Sequence, residues 1–361
     1  MAKDEEHASQ RPSIGQGPRV ASRPRLYCYP FSAKGKSLNP YVEYLMSGLG
    51  QEYDIVNSEV PSSNGIIDLY RYIFQCDVIL FNWVENVPDR RGGYFQSMLV
   101  YLLLITRKAL GLKVAWVLHN KVSHSKANAW LKAALMRALV RHSDVIITHA
   151  REGVDYARQI DRRAEDKTHF VHHPVEAFSV DTGAMPEPEW DVLIWGSMHP
   201  YKGILEFLEL FAGSDHKNRL RVLVWGRFSD EAYYRACLKV SPPSVVIRNE
   251  VVPDDALMAA QNGARVILFP YSAQSILSSG ALMTSLNSAA AIVGPDVGSF
   301  RDLAKEGMVV TFGETNEMLA AIDRARSLED RPALVEKRRT FFAAHSWASQ
   351  CQKIARIIAN A

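Results

Sequence analysis

The chain has 361 residues, too many for one typical hydrophobic core and enough for two units of about 150 residues each. Apolar residues make up 47% and charged residues 22%, the balance of a globular protein rather than a disordered one. The net charge of +3 excludes a nucleic-acid footprint, but it is unevenly spread: residues 1–180 carry 23 Lys/Arg against 18 Asp/Glu, so the front half is the one suited to an anionic partner.

Residues 1–23 are polar and read as a disordered leader with no signal-peptide core. No run of about 18 uncharged apolar residues occurs, so a cytoplasmic location is expected. Cys28, Cys76, Cys237 and Cys351 lack CxxC spacing and are expected to be reduced, buried thiols. Over residues 24–180 strand-like runs alternate with helical stretches: 26–29, 53–56, 78–82, 114–119, 145–148 and 169–172. Turn formers at 181–189 read as a linker. A second series follows over 190–340, at 192–195, 222–225, 245–247, 266–269, 291–293 and 308–311. The alternation predicts an α/β protein with two Rossmann-like parallel sheets, whose ligands sit in a cleft outside the strand C-termini.

The residues that follow each strand therefore carry the chemistry. After the first strand, a glycine-containing loop with Lys34 and Lys36 suits closure on the cleft, or simple solvation. After the third, Trp83 precedes Glu85 and Asp89, a ring that can stack on a sugar beside carboxylates that are either functional or merely solvated. After the fourth, His119 and Asn120 stand at the sheet edge, where a near-neutral imidazole suits proton transfer or simply closes a loop. His172-His173-Pro174 reads as a hinge. The apolar stretch from Phe95 to Leu112 and the basic helix Lys126–Arg141, with Trp130, either cover the sheet or rest on anionic lipid.

In the second half Gly196-Ser197 through Lys202-Gly203 opens an amphipathic helix. Glycine admits a ligand close to the backbone, and Lys202 offers a point charge for a phosphate. Arg227 follows the next strand and would add a second cation. Ser278-Ser279-Gly280, at another strand-to-helix turn, supplies hydroxyl and amide donors for anionic oxygens, or else a plain N-cap box. Arg248, ending a strand, and Tyr271 are candidates for the nucleoside and sugar of such a ligand, together with Gly196. Asp254-Asp255 reads as a helix start rather than a metal site, and no DxD element appears, so no essential cation is expected.

Gly196–Gly203 and Asp296-Val-Gly-Ser-Phe-Arg-Asp302 resemble the "G…KG" turn and the "VGG.pE" segment of GT-B glycosyltransferases. The wording around Ile276–Gly280, with His119-Asn120, is similar to a subgroup containing bacterial β-mannosyltransferases and relatives that build lipid-linked exopolysaccharide units. The resemblance covers most of residues 25–350. It implies a hexosyltransferase that uses a GDP- or UDP-sugar as co-substrate, with no other cofactor. The diphosphate would be held by Ser197, Lys202, Arg227 and Ser278–Gly280, and Trp83 and Asn120 would meet the acceptor. Glu85 or His119 would be the base, with Asp89 in reserve. The acceptor would be a glycolipid on polyprenyl diphosphate, met at the inner membrane surface. Residues 341–361 would form a helix crossing back to the first unit, with Trp347 as a packing anchor. One departure stands out: where many retaining members carry Glu-x7-Glu, this chain has Ile276 and Thr284, which points to hydroxyl and amide contacts and an inverting course. A nucleotide-sugar epimerase of the same fold and a non-catalytic sugar-nucleotide binder are the alternatives.

Overall fold

Short runs rich in β-branched and aromatic side chains, buried on both faces in the inner strands, form twelve strands in the computed structural model, which describes residues 23–30, 40–58, 65–121, 127–180, 187–271, 276–328 and 331–361. The residues of the leader up to 22, the lysine loop at 31–39 and most of the linker, 181–186, lie outside the described residues.

The first sheet contains β1 (Arg25–Tyr29), β2 (Asp54–Ile55), β3 (Val78–Asn82), β4 (Lys113–Leu118), β5 (Val145–Thr148) and β6 (Thr168–Phe170), all parallel, in the order β2-β1-β3-β4-β5-β6. Its helices are α1 (Pro40–Leu49), α2 (Ile66–Leu69), α3 (Gly93–Thr106), α4 (Ala129–His142) and α5 (Arg151–Ile160). The second sheet contains β7 (Trp190–Trp195), β8 (Val222–Trp225), β9 (Val245–Arg248), β10 (Ala264–Leu268), β11 (Ala291–Pro295) and β12 (Val310–Phe312), parallel in the order β12-β11-β10-β7-β8-β9. Its helices are α6 (Ile204–Ala212), α7 (Glu231–Val240), α8 (Asp254–Asn262), α9 (Gly280–Ser285), α10 (Gly298–Lys305), α11 (Met318–Arg326) and α12 (Arg331–Ala344). The last helix, α13 (Trp347–Asn360), buries Cys351, Ile354 and Ile358 in the same cluster as Leu26, Leu45 and Val117 of the first unit. All four cysteines are free and buried.

Each sheet has one place where the strand order reverses, between β1 and β3 and between β7 and β10. There the chain leaves neighbouring strands toward opposite faces and opens a crevice at their C-terminal ends. The two units also grip each other directly. Glu152 of α5 accepts the Gly298 amide at the start of α10 (2.8 Å), and Asp302 of α10 accepts the Arg151 amide at the start of α5 (2.8 Å), so two helix starts from different units cap each other. Asn120 forms a β-bridge with Ile276, and the side chain of Leu277 is buried among the core residues of the first unit.

Candidate active site

Between the units lies a cavity of about 550 Å³. On the second unit its wall is made by the loops after β7 and β10, which meet because those strands are hydrogen-bonded neighbours at the switch point. Ser197 and Lys202 come from the first loop. Tyr271, Ser278, Ser279 and Gly280 come from the second. Gly196 turns the chain with a φ of 105°, and Gly226, after β8, packs so tightly on the Gly196 carbonyl that any side chain there would collide with it. This contact fixes the start of the Lys202 loop.

Lys202 is only 8% exposed, and among the described residues no carboxylate pairs with it. Its ammonium sits 5.5 Å from the centroid of the Tyr271 ring, and burial lowers its pKa to about 8. The Ser278 hydroxyl is also buried without a hydrogen-bond partner. Ser279 has already committed its oxygen to the Leu282 amide (3.3 Å), as the N-cap of α9. Lys202 and the Ser278 turn thus line one cavity, the lysine as a cation with no carboxylate partner among the described residues. An anion with several oxygens is the group that suits both.

The first unit's wall is a fan of rings from successive strand ends. Tyr41, in the first turn of α1, is surrounded by Trp83, His119, His149, His173 and Trp347, with ring centroids 4.8 to 5.9 Å away. Trp83 stacks on His119 at 4.2 Å, and it does so from a left-handed backbone (φ 47°), a conformation that a bulky residue adopts only when its surroundings hold it there. The Asn82 amide nitrogen is directed at the Tyr29 carbonyl (3.4 Å), so its oxygen must accept, and the donor is His119 Nε2–H at 3.1 Å. Burial keeps His119 neutral, and this hydrogen bond leaves Nδ1 as its lone-pair nitrogen. His149 donates from Nδ1 to the Val171 carbonyl (2.8 Å) and accepts the Tyr41 hydroxyl at Nε2 (2.7 Å). His173 donates from Nδ1 to the Pro174 carbonyl (2.8 Å). Burial depresses all three, His119 well below the usual range, His149 to about 3 and His173 to about 4.

The sequence-derived candidates divide accordingly. Trp83, His119, Asn120, Ser197, Lys202, Tyr271, Ser278, Ser279 and Gly280 all line the cavity, as do Ile276 and Thr284. Arg227 does not: β8 lies on the far side of β7 from β10, and the Arg227 side chain is exposed. Arg248 is likewise outside the lining, its guanidinium 4.9 Å over the Trp225 ring. Gly196 shapes the loop without lining the cavity. Glu85 is also outside. The 3₁₀ turn Val84–Asp89 points its carboxylate into the core, where the residue is 3% exposed and burial lifts its pKa to about 7. The Trp116 indole nitrogen comes near the carboxylate and eases its charge, yet neither Glu85 Oε2 nor that nitrogen completes a hydrogen bond. Asp89 is engaged by Lys132 and by Asn128 (3.3 Å). Asp254 and Asp255 lie in the first turn of α8, and Asp255 accepts the Ala256 amide (2.9 Å).

Several lining residues escaped sequence reasoning: Tyr41, Tyr44, Glu176, Tyr201 and Trp347. The strand-end rule applies to Tyr41, which closes the loop after β1, and to Glu176, which follows β6. Nothing in the sequence marks Trp347 as facing a cleft. Among the described residues, no group of three or more His, Cys, Asp or Glu side chains is placed to hold a metal ion, and no helix is long and apolar enough to cross a membrane.

No family model and no curated protein sequence matches the chain. Solved structures do. Anabaena HepE in complex with UDP and glucose is 12% identical, with a TM-score of 0.68 over 94% of this chain and 100% of that one. A glycosyltransferase from Rickettsia africae is 12% identical (TM-score 0.61, 94% and 98% covered). AviGT4, a glycosyltransferase involved in avilamycin A biosynthesis, is 16% identical (TM-score 0.59, 94% and 99% covered). At these identities the likeness is one of fold, and the fold is GT-B: two parallel-sheet units facing each other across a cleft, as in these glycosyltransferases.

Proposed function

We propose that the chain is a glycosyltransferase that takes a hexose from a nucleotide diphosphate sugar and places it on a hydroxyl of a saccharide acceptor. The observation that carries this reading is the buried Lys202, without a carboxylate partner among the described residues, in the same cavity wall as the Ser278–Gly280 turn, on the unit whose strand order is that of a nucleotide-binding sheet. The diphosphate would sit between Lys202, Ser197 and the Ser278–Gly280 turn. HepE was solved with UDP and with UDP-glucose, which favours a uridine donor, whereas the sequence resemblance favours GDP-mannose. The acceptor is a sugar carried on polyprenyl diphosphate at the inner face of the plasma membrane.

Transfer is inverting in this reading. The acceptor oxygen bonds to the anomeric carbon as the bond to the diphosphate breaks, the bonding pair leaves with the diphosphate, and the hydroxyl proton passes to His119 Nδ1. His119 is a feeble base in the empty cleft because burial holds its pKa down, but a bound dianion raises it. Trp83, stacked on the imidazole, keeps the ring in place and offers a face to the acceptor sugar. Charge on the departing diphosphate is met by Lys202, so no metal step is invoked.

Thermal melting with UDP, GDP, ADP and dTDP tests the reading, since a ligand that binds the native state alone raises its stability. One of the four should raise the midpoint of the wild-type chain and fail to do so in Lys202→Met. If none raises it, the diphosphate site is refuted. A donor panel of UDP-glucose and GDP-mannose with a lipid-linked acceptor then identifies the hexose. Conversion of donor without acceptor would make the protein an epimerase instead.

A further inference from the structure

Helix α3, of sequence GYFQSMLVYLLLIT, contains no charged residue. Its inner face places Val100, Leu103 and Leu104 in the first unit's core. The outer face is just as apolar: Tyr94, Phe95, Met98, Tyr101, Leu102 and Ile105 recur at helical spacing and are all exposed, Tyr94 by 60% and Met98 by 57%. Trp130, 66% exposed in the first turn of α4, extends the patch, its ring centroid 6.3 Å from that of Tyr94. From Tyr94 to Ile105 the stripe is about 16 Å long. A contiguous apolar face of this kind marks a docking surface.

The charges around it select the occupant. From residue 90 to residue 143 the sequence contains ten Lys/Arg and no Asp or Glu, and of the ten Arg107, Lys121, Lys132 and Arg141 are ion-paired with carboxylates outside that span. Arg90 and Arg91, before the helix, are exposed, as are Lys108 after it and Arg137 on α4. A second copy of the chain docking here through a two-fold axis would set this basic rim against itself. An anionic bilayer answers both the apolar stripe and its rim.

We infer that the α3–α4 face seats on an anionic lipid surface, Met98 and Tyr101 entering the headgroup boundary while Arg90, Arg91, Lys108 and Arg137 meet lipid phosphates. The cleft-side end of the stripe is set by topology. The loop after β3 carries Trp83 in the cavity wall and runs directly into α3 at Gly93, so the seated face brings the cavity mouth to the bilayer. The proposed lipid-borne acceptor enters along it. The inference rests on the proposed function only for that acceptor, because lipid binding is read without nucleotide or acceptor.

The full chain is sedimented with vesicles of phosphatidylcholine alone and with one part in three of phosphatidylglycerol. Binding to the anionic vesicles is expected, weakened but not abolished by salt. Met98→Ser/Tyr101→Ser/Ile105→Ser should lower it about tenfold or more, and so should Arg90→Ala/Arg91→Ala/Lys108→Ala. Nucleotide-induced melting shifts should stay at the wild-type value in both, which shows them folded and separates this inference from the nucleotide reading. Absence of binding to anionic vesicles, wild-type binding by both variants, or a wild-type dimer that the serine variant converts to monomer would each overturn it.

Discussion

The two walls of the cavity treat their polar groups in opposite ways. On the first unit, His149 has a hydrogen bond at both ring nitrogens, and His119 and His173 each have one that fixes the tautomer. All are neutral, and they are packed around one tyrosine. On the second unit, the ammonium of Lys202, over the Tyr271 ring, and the hydroxyl of Ser278 are buried with no hydrogen-bond or ion-pair partner among the described residues. Unpaired buried groups of that kind cost stability, whereas groups bonded to one another hold a shape. The contrast suggests a division of labour: a preformed, uncharged wall that presents rings and lone pairs to hydroxyls, and a charged corner that waits for an anion.

The sharpest break would come from His119→Ala. If Nδ1 takes the proton, turnover should fall by about a hundredfold or more while nucleotide affinity stays within about twofold; equal losses in both would make His119 a structural part of the wall. Next is the charged corner. Lys202→Met should weaken nucleoside diphosphate binding by about ten- to a hundredfold, the worth of a hydrogen bond to a charged group. In the wild-type protein that affinity should decline as pH rises above about 8, where the empty site's Lys202 gives up its proton, and the decline should vanish in the variant. Titration calorimetry at pH 7, 8 and 9 reads both.

A smaller effect separates the walls by pH. His149, His172 and His173 have folded pKa values of about 3, 4 and 4, below the ordinary 6.5, so below pH 6.5 the unfolded chain binds protons that the fold refuses. Stability should therefore fall as pH drops from about 6.5 toward 4, and less steeply in His173→Gln, as urea unfolding at pH 7, 6 and 5 would show. Glu85 runs the other way. Its folded pKa, raised to about 7, costs stability as pH climbs from 4.5 to 7, so Glu85→Gln should be steadier than wild type at pH 7.5, with turnover nearly unchanged. The smallest expected effect is that of Arg227→Ala, within about twofold in nucleotide affinity. A tenfold loss would show that the donor draws the β8 loop into the cleft.

The strands were legible because both faces of each sheet are covered, which writes them as compact β-branched runs. Val78–Asn82, Val145–Thr148 and Val222–Trp225 have the bounds that the sequence suggests, and most others shift by a residue or two. The strand-end rule brings Trp83, Lys202 and Ser278, which follow strands bordering the switch points, to the cavity wall, and with them His119, one strand further out. It misplaced Arg227 because strand order, invisible in a sequence, sets β8 away from β10. Glu85 was misplaced for a more local reason. The left-handed turn at Trp83 sends the ring to the cleft and the carboxylate two residues on into the core.

Leu277 joins the two units like a tenon. It belongs to the chain of the second unit, one residue before Ser278, yet its side chain occupies a socket in the first, and its carbonyl is held by the Ser299 amide at 2.8 Å. Parting the units must either withdraw this leucine, at roughly 2 kcal/mol of lost burial, or leave the serine turn behind with the wrong partner. The geometry of the anion corner is thus tied to whether the joint is seated, and a loosened joint disarms the corner without altering any residue that lines it.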